Sequence, residues 1–195
     1  MDMTDDHSMR NAFPPYTKRL FMGGLILGLI PIFVLIAAFA NYDAKLLHFV
    51  HVITGGSWTG IDIFMGVIMT RVLSSLEPQN RAEFLKRLVP ANLFFMPAMS
   101  SVAVTSGIYL AQWTGIFNLN SPFIISSGIV VVILLIQGFG IFFPNSIRVF
   151  LELNKSKPDR SKIIRLSMRN LRLAGVQAIL QVLLISIMTG YYIMF

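Results

Sequence analysis

Apolar residues run along this chain in five blocks of about 20 residues or more, and polar residues fall mainly between them. No charged residue occurs between Leu88 and Ile147, and none between Leu173 and Phe195. Roughly 20 apolar residues suffice to cross the hydrocarbon core of a bilayer as a helix, so those two runs alone hold at least three spans. The full pattern predicts an all-α bundle of five transmembrane helices over about 20 to 41, 45 to 74, 88 to 113, 121 to 147 and 170 to 195. They form one domain, 20 to 195, preceded by a polar tail, 1 to 19, expected to be disordered and cytoplasmic. Ala38-Phe39-Ala40 has the look of a signal-peptidase site. The apolar run before it is too long for a signal peptide, and the segment reads as an uncleaved helix. Pro31, Pro97 and Pro144 are expected to kink or end helices one, three and four.

Composition sharpens this picture. Of 195 residues, 55% are hydrophobic and 13% charged, about half the charged share of a soluble domain. A net charge of +7 would suit nucleic acid if it were spread over a face. It instead sits beside the spans. With the N-terminus inside, 15 of the 16 Lys and Arg residues fall in the cytoplasm and only Lys45 outside, as the positive-inside rule requires. The C-terminus is then outside. The segment 147 to 173, apolar and basic residues at helical spacing around Pro158, is expected to extend helices four and five as amphipathic collars against anionic headgroups.

Cysteine is absent, which removes disulfides, thiolate metal sites and thiol nucleophiles. Redox or metal chemistry would need His, Met, carboxylate or an added cofactor. The second helix carries such residues: at 100° per residue His51, Gly55, Trp58 and Asp62 share one face, with His48 at its edge and Met65 and Met69 continuing it. Ionisable residues within a span usually face the bundle interior. At 1.5 Å per residue His51 lies about 9 Å below the outer edge and Asp62 about 25 Å down. One helix face therefore holds two separate levels.

At the outer level His51 suits an axial ligand of haem b, with Gly55 and Gly56 leaving room for a flat ring and Trp58 packing at its edge. The competing reading is a hydrogen-bonded histidine, with Gly56 and Gly60 as a packing seam. His48 fits an interfacial residue or a propionate partner, and Met188, at similar depth, is the candidate second ligand. At the inner level Asp62 needs a partner; Asn92, Gln177 and Arg172 are the candidates, for a proton- or quinone-linked site or a hydrogen-bonded clamp. Gln137 and Gln181 read as interhelical links. His48 and His51 with Met65, Met69, Met96 and Met99 would alternatively serve copper.

His51-VITGGS-Trp58-T-Gly60-IDIF, together with RLVPANLFFMPAMSSVAVTSGIYL at 87 to 110, resembles the CopD-type copper-resistance proteins, the urate-oxidase N-terminal type and, more distantly, HemJ-type protoporphyrinogen oxidase. The resemblance covers about 65 residues. It implies a four- or five-helix membrane bundle in which the histidine at 51 binds haem or a metal. The intramembrane lysine of the HemJ type, the additional histidines of the urate-oxidase type and a CxxCH motif are missing. The expected function is a haem b redox or electron-transfer protein with a membrane or periplasmic-side partner. The alternatives are copper transport or resistance and a structural subunit, with homo-oligomerisation left open. No constellation in the sequence establishes an enzyme.

Overall fold

A computed structural model describes residues 15 to 194, with side chains described through Gly190. The expected disordered tail lies outside the described residues over 1 to 14. Five long helices form an all-α bundle: α1 Pro15–Ala40, α2 Ala44–Ser75, α3 Pro78–Trp113, α4 Pro122–Leu153 and α5 Arg160–Met194. Each is long and apolar enough to span a bilayer, and the chain is a multi-pass membrane protein. Most of the large apolar side chains that face out of the bundle, such as Ile26, Phe33, Phe49, Ile136 and Ile179, have only lipid to meet.

Two helices start well before their apolar blocks. Helix α3 begins at Pro78, ten residues ahead of the expected Leu88, because Pro is well placed in a first helical turn and nothing from Gln79 to Arg87 breaks the helix. Ala82 and Leu85 are buried, while Arg81, Glu83 and Lys86 are half-buried and Arg87 is exposed. Likewise α1 starts at Pro15 and takes in residues expected to belong to the tail. The anticipated collars are helical too, α4 running to Leu153 and α5 beginning at Arg160.

The prolines interrupt less than expected. Pro31, Pro90 and Pro97 lie inside continuous helices. Pro144 follows a π-helical turn, Gly138–Phe142, and α4 continues past it. A second π turn, Phe64–Met69, lies within α2, where the Thr70 hydroxyl donates to the Met65 carbonyl at 3.0 Å.

Helix α3 is central. It packs along α1 and α2, meets α5, and touches α4 mainly over Phe143–Leu153. Gly24 rests on the Ala91 backbone and Gly66 on the Gly175 backbone, so a Cβ at either would collide with main chain. These are close backbone crossings of α1 with α3 and of α2 with α5. Three apolar clusters fill the interior. One, around Leu73, Leu85, Val149 and Ile163, closes the basic end. Another, around Leu35, Leu47, Val50 and Val102, joins α1, α2 and α3 near the opposite end. The third sets Trp58 against Ala103, Val130 and Leu134 midway.

At the basic end Arg81 caps α2 by donating to the carbonyls of Leu73, Ser74 and Leu76 at 2.6, 2.8 and 2.9 Å, where a cation also meets the negative end of the helix dipole. Glu152, 3% exposed, ties the α4–α5 turn together through Lys155 at 3.0 Å and Lys162 at 2.7 Å.

Candidate functional site

The polar face of α2 does divide into two levels. Eleven residues separate His51 from Asp62, about 16 Å along the helix. Leu47, Val50, Thr54, Trp58 and Asp62 are buried on this side, and Val52, Ile53, Gly56 and Gly60 face outward.

At the first level the His51 ring lies against α3. Its Nδ1 is 2.9 Å from the Ala103 carbonyl oxygen. A carbonyl only accepts, so Nδ1 carries the proton and the Nε2 lone pair is left available. The Ser106 hydroxyl, 3.1 Å from the same carbonyl and 3.5 Å from Nδ1, reinforces the arrangement. Gly107 makes it sterically feasible, since a methyl group there would stand 2.6 Å from His51 Cε1. The glycine that positions His51 is thus on the neighbouring helix. One turn along α2, a Cβ at Gly55 would meet no atom within 4 Å. That is room of the kind a flat ring beside His51 needs.

His48 is exposed and does not join His51 at one centre. Met188 is half-buried on the α5 face that carries Gln181. It lies about 10 Å beyond Gln181 along the axis, whereas His51 lies about 16 Å beyond Asp62. The His51 ring turns to α3 rather than to α5. Gly56 and Gly60 meet no neighbour within 4 Å, so they form no packing seam inside the chain.

At the second level Asp62, 2% exposed, accepts a hydrogen bond from Gln181 Nε2 at 2.9 Å, with the Trp58 side chain beside it a turn earlier on α2. It borders a partly open cavity of about 130 Å³ lined by α2, α3, α4 and α5. Asn92 and Gln177, expected here, do line it. Arg172 does not. It is exposed, because five residues before Gln177 is about 140° around the helix. The direct partner is instead Gln181, which shares a face with Gln177 at spacing i, i+4; two amides so spaced in a charge-free span were the available signal. Gln137 does act as an interhelical link, donating to the Leu173 carbonyl at 3.1 Å.

Both π turns border this cavity, through Met65 on α2 and Gly138, Phe139 and Phe142 on α4. Single π turns are frequent at functional sites because the extra residue re-aims the side chains around it. An amide chain beside the second turn runs from Asn145 to Asn170 at 2.9 Å and from Asn170 to the Phe142 carbonyl at 3.1 Å. Sequence reading passed over that pair, since asparagines near a basic collar look like surface residues. Of the four candidate copper methionines, Met65 and Met96 line the cavity, Met99 is buried, and Met69 packs in the basic-end cluster. Among the described residues no group of three or more His, Asp or Glu side chains is arranged to hold a metal ion.

Comparison with protein-family models, with characterised proteins and with solved structures finds no match.

Proposed function

We propose that the chain is an integral membrane redox protein that carries haem b on His51, in the manner its resemblance to the CopD and urate-oxidase N-terminal types implies. The observation that carries the reading is the His51 Nδ1 to Ala103 carbonyl bond at 2.9 Å. Ligand histidines are characteristically oriented through the second ring nitrogen, which fixes the tautomer and strengthens the coordinating one. His51 has that arrangement. Gly107 lets the ring sit against α3, and Gly55 keeps the adjoining helix surface clear. Bound there, haem would supply one-electron chemistry. The chain's own contribution is to hold the imidazole at one angle and to surround it with apolar side chains.

The copper reading has less behind it, since His48 is exposed and the methionines are divided between the cavity and the packed interior. We also infer that the basic end faces the cytoplasm, from its Lys and Arg excess.

Protein purified from haem-replete cells is expected to show a Soret band and a reduced α-band at one haem per chain, both lost in His51→Ala. Absence of stoichiometric haem from the folded wild-type protein would falsify the proposal. Metal analysis of the same sample, with and without His48 and His51, tests copper directly.

A further inference from the structure

The cavity beside Asp62 is made of unusual parts for a void in a membrane bundle. Its walls are apolar and aromatic, including Trp58, Met65, Met96, Phe139 and Phe142, and a few polar groups converge on it. Among the described residues no Lys, Arg or His side chain lines it. Its size, about 130 Å³, is close to that of an apolar cavity able to hold one benzene, roughly 150 Å³. A partly open cleft of that volume has room for one six-membered ring.

The polar groups say what that ring must carry. Asp62 presents a carboxyl group. Gln181 gives its amide Nε2 to that carboxyl, so the atom left over is its carbonyl oxygen, which is buried with no partner. Gln177, 2% exposed and on the cavity wall, also has an unpartnered Oε1. Ser167, 4% exposed, lines the cavity with an unpartnered hydroxyl. Buried polar atoms are nearly always satisfied by something. Here the unmet demand is mainly for donors, and a carboxylate or phosphate ligand would add only acceptors. A ligand bearing a full positive charge would have to leave water for a buried ion pair, which is costly. A neutral ring with hydroxyl groups meets the demand without that cost.

There is also a way in. Helix α3 barely touches α4 over residues 122 to 142, although it packs on the later part of the same helix. Phe139, a wall residue, is 43% exposed, and the cavity it lines is partly open. Gly138 beside it has no atom within 4 Å of a would-be Cβ.

We propose that this cavity is a binding site for a ring-sized, lipid-soluble molecule of the hydroquinone type, reached from the membrane between α3 and α4. Its hydroxyl groups donate to Asp62 and to the amide oxygen of Gln177, and the ring packs on Trp58 and Phe142. The site is distinct from His51 and stands whether or not haem is carried there.

The chain has two tryptophans, of which Trp58 lines the cavity and Trp113 lies at the far end of α3. Full-length protein labelled with 5-fluorotryptophan in detergent therefore gives one reporter at the site and one away from it, assigned with Trp113→Phe. Titration with 1,4-hydroquinone is expected to shift the Trp58 fluorine resonance saturably and leave Trp113 in place. With p-xylene, the same shape without donors, affinity should fall about tenfold or more, the loss expected for two neutral hydrogen bonds. Asp62→Asn and Gln177→Leu should each weaken hydroquinone binding; if either fails to fold, Gln177→Met makes the comparison. Equal affinity for p-xylene overturns the proposal in favour of a merely apolar void. Tighter binding of benzylammonium would make it a cation site instead. A Trp58 signal that no probe moves, or one that moves only together with Trp113, sinks it as well.

Discussion

A single hydrogen-bond acceptor decides what His51 is able to do. Were the imidazole free to rotate, either nitrogen could carry the proton; the Ala103 carbonyl at 2.9 Å assigns it to Nδ1. In selectively 15N-labelled protein stripped of any haem, His51 should show a protonated Nδ1 and a bare Nε2. The reverse tautomer would remove the basis of the haem assignment. Gly107→Ala tests the same geometry from the other helix. Its methyl would stand 2.6 Å from His51 Cε1, so either the ring or α3 must shift, at about 1 to 3 kcal/mol for an overpacked contact. The thermal midpoint and haem content should fall together. At the inner level Gln181→Leu leaves Asp62 without its α5 donor. The expected loss is about 1 to 2 kcal/mol, the upper part of the range for interhelical bonds in membranes, measured by denaturation in mixed micelles. A loss near zero would mean that the Trp58 interaction suffices. Neither Gly107 nor Gln181 stood out in the sequence as a site residue, because the group each serves is more than 50 positions away.

Within the helices, the two π turns are the features that hydropathy could not disclose. Each adds one residue to a turn without interrupting the helix, and the residues on either side then face about 100° away from where an α-helix would put them. Deleting Val67 to restore an α-helical turn in α2 should rotate Thr70–Ser75 relative to Asp62. It would take Leu73, fully buried in the basic-end cluster, out of its place. Poor folding or a large drop in thermal midpoint is expected; unchanged stability would show that the turn carries no packing role. The collars are another case. Their apolar and basic alternation was legible as helix, and the extension of α4 and α5 follows it. The early start of α3 was not, since hydropathy finds where a helix enters lipid and not where hydrogen bonding begins. Arg81 joins these two facts, sitting in the first turn of α3 and closing the last turn of α2. Arg81→Ala should cost about 1 kcal/mol, the usual scale for losing a cap.

For the whole molecule, the uneven division of charge between its two ends is the property with the most direct consequence. If the basic end is cytoplasmic, alkaline phosphatase fused after Phe195 should be active and a fluorescent protein fused there should be dark; the opposite pattern would invert the assignment. Five spans, their approximate limits, the apolar surface toward lipid and the polar side of α2 were all determined by the sequence, because each depends on local hydropathy and on the 3.6-residue period of a helix. Which side chains meet across the bundle was decided only by the tertiary structure. Partnering depends on axial rotation and on the depth at which helices cross, and those are set by contacts such as Gly66 on Gly175 and Gly24 on Ala91 that no single segment contains. Hence Asn92 and Gln177 could be anticipated near Asp62 from depth alone, while the exclusion of Arg172, the bond from Gln181 and the ring-sized space between four helices followed from the packing.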